Sequence, residues 1–226
     1  LYKPIVVGIS LVFDAVNEKG GVRGLQLVFH PLDDEYNPVK TRANIERLNH
    51  DKIDMILSSG GTKPNQSLLD LVEDGKILVM FPMTYASIFR KRNLKYFIHF
   101  GISYEEQGAI LAQYALKQMG AKKIVLFYQE DVPAIAETEA FFNKIGFKDY
   151  LNVVYGRDSV NFSLNVKDII NFQPDTIIFL SIPTATLGLM RQLGVEYLST
   201  KNLLGWSDLA SGKFRKDMGQ RGLKMI

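Results

Sequence analysis

Short runs of β-branched and other apolar residues alternate along this chain with stretches in which apolar positions recur every three to four residues. The first pattern is that of buried strands and the second that of amphipathic helices. It predicts strands at residues 5–7, 25–29, 53–57, 77–81, 97–100, 124–128, 153–155, 176–180 and 203–205. Helices are predicted at about 10–19, 38–50, 64–74, 103–119, 133–145, 162–172, 184–193 and 208–218. Such alternation makes an α/β protein, with parallel sheets covered by helices on both faces. The stretch from 13 to 38, FDAVNEKGGVRGLQLVFHPLDDEYNP, carries the clearest punctuation. Phe13, Ala15 and Val16 end an apolar helical face, Lys19 suits the negative end of the helix dipole, and Gly20 closes the helix in the left-handed conformation. Gly21 and Gly24 then turn the chain, and residues 25–29 read as a strand buried on both faces. Asn37-Pro38 supplies an N-cap with proline at the first helical position.

One break interrupts the alternation, at residues 96–103. Ser103-x-x-Glu106 is a capping box that opens a long helix, so the preceding strand hands the chain to a fresh β-α series. Two lobes are expected, residues 1–101 and 102–226, each a Rossmann-like half.

Of the 226 residues, 46% are hydrophobic and 23% charged, which suffices for one large or two small domains and carries no disorder signature. A formal net charge of +3 with acids and bases interleaved leaves no basic face to argue for nucleic acid. The densest cluster, Arg90-Lys91-Arg92 with Lys95, reads as a solubility feature on a loop. Zero cysteines exclude thiol nucleophiles, CxxC redox motifs and cysteine metal sites, and suit an exported protein that needs no disulfide. No run approaches the roughly 20 apolar residues of a membrane span. No signal sequence is present, so an exported protein would be a mature or trimmed chain, with any anchor outside these residues.

Candidate chemistry begins at residues 57–64, LSSGGTKP, a small polar loop that leaves a buried strand and enters a helix. Backbone amides at that helix start, with the Ser59 and Thr62 hydroxyls beside Gly60, form an anion-sized nest that suits a carboxylate; ordinary helix capping is the other reading. The carboxyl ends of strands are where open α/β sheets bind ligands. Neither a GxxxxGK[ST] nor a GxGxxG run occurs, so nucleotide binding has no support. His30, His50 and His99 are scattered, with no partner at metal-ligand spacing, so neither metal nor cofactor is expected. Glu130 and Asp131 are sequence neighbours and ill placed for the separations of about 5 Å or more that glycosidase carboxylates use. No GxSxG elbow accompanies the serines, and no catalytic residues are expected.

FDAVNEKGGVRG, a hydrophobic strand and DDEYNP together resemble the type I periplasmic binding proteins, in particular their branched-chain amino-acid (Leu/Ile/Val) binding branch. The resemblance continues through ILSSGGTKP, ILVMFP, YEEQG, AKKIVLFYQED, FSLNVKDIINFQPDTIIFLS and LLGWSDL. It implies two Rossmann-like lobes joined by three crossing strands, with a ligand cleft between them. Ser59 matches the serine that holds the ligand α-carboxylate in that family. Thr84 and Tyr85 map onto the loop whose amide and hydroxyl contact the ligand, and Met83 and Tyr85 are bulkier than the usual alanines there. From the second lobe, Ile182 falls where a polar or aromatic contact is common. Asp208 falls where an acid pairs with the ligand ammonium, with helix capping as its rival role, and the sole tryptophan, Trp206, is placed to stack on a ligand.

Three departures from the family pattern stand out. The strand at 5–7 runs directly into a helix where the family has a ligand-lining loop, the segment after Asp131 is about three residues short, and the chain stops at Ile226 before the family's return crossings. The implied protein is an extracytoplasmic solute-binding component of an ABC importer. It captures a small carboxylated solute by lobe closure and delivers it to a membrane permease. Two other readings share the fold: the sensing domain of a signalling receptor, and an interaction module without a pocket.

Overall fold

A computed structural model describes residues 3–50, 55–91, 94–130, 135–220 and 222–226. Residues 53 and 54 of one expected strand, Arg92 of the basic cluster and Asp131 of the acidic pair lie outside them. The chain divides into two compact units, residues 1–85 with 89–101, and residues 86–88 with 102–226.

The first unit opens with helix α1 (Lys3–Asn17), then α2 (Pro38–His50), β1 (Ile56–Leu57), α3 (Thr62–Gln66), α4 (Leu69–Glu73), β2 (Val79–Met80), α5 (Ile88–Lys91, its first residue in the second unit) and β3 (Phe97–Ile98). The three short strands are parallel, in the order β1-β2-β3, with Leu57 opposite Met80 and Met80 opposite Ile98. Phe89 stacks on Phe97 at 4.7 Å, and with Leu68, Val72 and Val79 it makes the core of this unit.

Two expected strands of this unit are not strands. Residues 5–7 lie inside α1, and among the described residues no strand pairs with Ile5 to Val7. Residues 25–29 form no strand either, and Leu25 and Val28 are 73% and 69% exposed. The reason is local: the Asn17 side chain accepts from the Leu27 N–H at 2.7 Å and donates to the Leu27 carbonyl at 2.8 Å. Leu27 thus spends on the end of α1 the groups that a sheet would use. Asn37 does cap α2 as expected, its Oδ1 accepting from the Val39 N–H at 2.9 Å. The single helix expected at 64–74 is two, because Ser67 turns its hydroxyl back on the Pro64 carbonyl and its own carbonyl accepts from Arg42.

The second unit runs α6 (Tyr104–Gln118), β4 (Ile124–Gln129), α7 (Ala136–Ile145), β5 (Tyr150–Tyr155), α8 (Ser163–Phe172), β6 (Thr176–Leu180), α9 (Pro183–Leu193), α10 (Val195–Ser199), β7 (Asn202–Gly205), a 3-10 turn (Ser207–Leu209) and α11 (Gly212–Gly219). The sheet is wholly parallel, in the order β5-β4-β6-β7. Every residue of β6 is buried, as are five of the six of β4, which is why both read as unbroken apolar runs. The Ser103 capping box that begins α6 is formed in full: Ser103 Oγ accepts from Glu106 N–H at 3.1 Å, and Glu106 Oε2 accepts from Ser103 N–H at 2.7 Å.

Candidate functional site

Strands β1 and β2 end in the same way. Ser58 follows β1 with φ 55° and Phe81 follows β2 with φ 53°, left-handed values that turn the chain sharply off the sheet and are costly for residues with a Cβ. The two exits run side by side: Met83 N–H donates to the Ser59 carbonyl at 2.8 Å, Gly61 N–H donates to the Met83 carbonyl at 3.2 Å, and Gly60 pairs with Met83 as in a parallel ladder. Here the sequence-predicted residues Ser59, Gly60, Thr62, Met83, Thr84 and Tyr85 come together, at the carboxyl end of the first unit's sheet.

Their polar atoms are largely engaged with one another. Ser59 Oγ donates to Asn65 Oδ1 at 2.6 Å, and the Asn65 amide donates to the Gly61 carbonyl at 2.7 Å and the Ser59 carbonyl at 3.3 Å. With its proton on Asn65, the Ser59 hydroxyl presents its lone pairs, so as placed it can accept a further donor, and it can donate to a carboxylate only by turning its O–H away from Asn65. Thr62 and Thr84 share a buried hydroxyl–hydroxyl bond of 2.9 Å that ties the start of α3 to the segment after β2. Gly61 is required in that start, since its φ is 83° and a Cβ would lie 2.1 Å from the Tyr36 ring. Tyr85 packs edge-on to Phe100 at 6.0 Å, and Phe81 meets the same ring at 5.7 Å, an aromatic border of which Phe100 is 67% exposed.

In the second unit the predicted residues gather at the carboxyl ends of β6 and β7. Ile182 caps α9 with extended backbone, and its N–H donates to the Tyr155 hydroxyl at 3.3 Å. That hydroxyl lies 3.5 Å from Gln129 Oε1 at the end of β4, and Tyr155, Gln129 and Ser181 are all buried. Trp206 is also buried; its Nε1–H donates to the Ser181 carbonyl at 2.8 Å and its ring lies 4.5 Å from that of Tyr104. Trp206 lines a cavity of about 500 Å³ together with Leu209, Phe214 and Met218, with Arg215 and Lys224 also in its wall.

Asp208 sits half-buried in the 3-10 turn, and burial pushes its carboxyl pKa up to about 6. It is not the cap of the following helix: Ser211 takes that role, accepting from the Phe214 N–H at 3.2 Å. An acid held partly out of water with burial as the cause of its shift is suited to receive a cation.

Asn65, Tyr155 and Gln129 escaped the sequence reading. An asparagine in the first turn of a short helix, and a tyrosine and a glutamine at strand ends, have no spacing signature until the fold brings them to their partners. Among the described residues no cluster of histidine, aspartate and glutamate is arranged to hold a metal ion, and no helix is long and apolar enough to cross a membrane.

Comparison with known proteins agrees with this architecture. The family model for periplasmic binding proteins matches residues 2–207. The Leu/Ile/Val/Thr-binding protein of Salmonella typhimurium is 25% identical over 115 residues, which are 51% of this chain and 32% of that protein. Among solved structures, a possible leucine/isoleucine/valine-binding protein from Rhodopirellula baltica superposes with a TM-score of 0.82 at 22% identity, over 96% of this chain and 62% of its own. An ABC-transporter solute-binding protein from Rhodopseudomonas palustris, solved with p-hydroxybenzoic acid, gives 0.79 at 21% identity, over 93% of this chain and 59% of its own. The chain thus spans about a third of the curated relative and about three fifths of these solved chains.

Proposed function

The chain belongs to the periplasmic binding protein family and has the fold of its type I members; from that premise we propose that it is an extracytoplasmic solute-binding protein of an ABC importer, working in the periplasm or outside the cell. Its solute is small and carboxylated, an amino acid or a related compound, captured by lobe closure and passed to a membrane permease. Closure needs no covalent step, only a solute that binds the closed form more tightly than the open one. Recognition is assigned to Ser59, Gly60, Thr62, Met83, Thr84 and Tyr85 in the first unit and to Ile182, Trp206 and Asp208 in the second. The observation that carries the reading is the paired loop exit after β1 and β2, which sets Ser59 and the Gly60–Met83 ladder at the carboxyl end of a parallel sheet.

A second reading, an interaction module of the same fold without a pocket, draws on the committed state of these groups. Thr62 and Thr84 bond each other, the Ser59 proton is on Asn65, and Trp206 is buried. A thermal-shift screen of amino acids, small amides, aromatic acids and sugars separates the two. A solute at a hundred times its dissociation constant adds about 2.7 kcal/mol of stability. Hits confined to carboxylated compounds, each weakened by S59A and D208A, support solute binding. Silence across the panel with refolded protein, or hits indifferent to both substitutions, overturns it.

A further inference from the structure

Past the ends of β2 and β3 the first unit holds a group of aromatic rings at its surface. Phe100, 67% exposed, stands nearly perpendicular to Phe81 at 5.7 Å and to Tyr85 at 6.0 Å, with interplanar angles of 81° and 85°. Phe81 is itself 37% exposed. Apolar rings left in water forgo the stabilisation that burial would give, and the backbone carries a further cost to keep them there. Phe81 leaves β2 with a φ of 53°, a left-handed value that strains any residue with a Cβ. Gly101 has no room for a side chain, since a Cβ there would lie 2.6 Å from the Tyr85 ring. All of these residues belong to the first unit. The rings are also continuous with the solute loops: Tyr85 is two residues past Met83, whose N–H donates to the Ser59 carbonyl.

A cation stands at the same place. Arg90 donates through Nη2 to the carbonyl of Gly101, the residue after Phe100, and among the described residues no carboxylate pairs with it. Its remaining N–H groups are free to take a carboxylate. The Ser59 proton, by contrast, is held by Asn65. We infer that the solute selected by this unit is an aromatic carboxylate, its ring packed on Phe100 between Phe81 and Tyr85 and its charge met by Arg90. The inference rests on the solute-binding reading of the loops after β1 and β2 and narrows it to one substrate class. A ring gains edge-to-face contacts with these three that an aliphatic side chain does not. A purely apolar occupant would take water from the guanidinium without matching its charge.

The test is calorimetric titration of the full chain with benzoate against cyclohexanecarboxylate and with L-phenylalanine against L-leucine, pairs that change the ring and keep the charge. Wild type is expected to bind the aromatic member of at least one pair about tenfold more tightly than its counterpart. F100A is expected to remove that preference by weakening the aromatic member, and F100L to do the same while keeping a side chain of similar bulk. R90Q is expected to weaken every carboxylate that binds, by about tenfold. Equal or tighter binding of the non-aromatic members, or an aromatic affinity indifferent to both Phe100 variants, overturns the inference. An affinity unchanged in R90Q overturns the pairing with Arg90. Binding of L-leucine alone overturns the aromatic class and leaves solute binding standing. Silence of all the probes also overturns it, and the wider thermal-shift screen then decides the solute-binding reading on its own. Sedimentation of wild type beside F100A covers the other occupant: a dimer that F100A dissociates assigns the rings to a second copy of this chain and overturns the inference.

Discussion

At the scale of single residues, two titrating groups act on stability in opposite directions over the same pH range. Asp208 has a folded pKa of about 6 against an ordinary 3.8, so the native state holds its proton longer and the residue removes stability as pH rises from about 4 to about 6. His99 is the reverse. Both ring nitrogens are buried without a hydrogen-bond partner, and burial, aided by Arg90, lowers its pKa from 6.5 to about 4. The native state rejects that proton, so His99 adds stability as pH rises through the same interval. Melting curves should therefore show D208N gaining on wild type most at pH 7 and least at pH 4, and H99F gaining most at pH 4. Parallel shifts at both pH values would remove either assignment. If Asp208 receives a solute ammonium, affinity for an amine-bearing solute should fall as pH drops below about 6, and D208N should abolish that dependence. Ser59 was legible as a candidate from its place after an apolar run. Asn65, which takes its proton, was not; S59A should weaken binding of a carboxylated solute by roughly 1 to 3 kcal/mol in a titration, whereas N65A, which frees that proton, should weaken it less.

At the scale of elements, the capping box of α6 is fully formed, and S103A should cost about 1 kcal/mol in chemical denaturation, with E106A removing the reciprocal bond. Gly61 tests the loop exit after β1. G61A brings a Cβ into the Tyr36 ring at a left-handed φ, and a loss of roughly 1 to 3 kcal/mol is expected, measured by the same method. Elements differ in how plainly the chain announced them. β6 was placed to the residue and β4 to within one, because an apolar run flanked by turn residues leaves a central parallel strand little choice. Residues 25–29 carry as good an apolar run as β4 and still form no strand. A strand is a pairing, and Leu27 finds Asn17 in place of a neighbour. The splitting of residues 62–73 into α3 and α4 was equally hidden, since it depends on Arg42, more than twenty residues away, reaching the Ser67 carbonyl.

At the scale of the whole molecule, the two units differ in how deeply they are built. The second has four paired strands around Phe127, Phe162 and Phe179, all essentially without exposed surface. Among the described residues the first has three strands of two residues each and a helix α1 with no buried residue. Hydrogen exchange should follow this order, with β4 and β6 slowest and residues 25–34 fastest. Comparable protection in α1 and β6 would contradict it. Alternation of strand and helix over most of the chain, the capping box at Ser103, the N-cap at Asn37 and the polar loop that opens after Leu57 were determined by sequence alone, because each is a local matter of period, turn chemistry and backbone valence. Tertiary structure alone decided which apolar runs became strands and where the proton of Ser59 lies. It also decided that Trp206 is buried. Those outcomes depend on partners distant in the chain, and a polar group acquires its chemical role only when folding settles which partner it has and how much water it has lost.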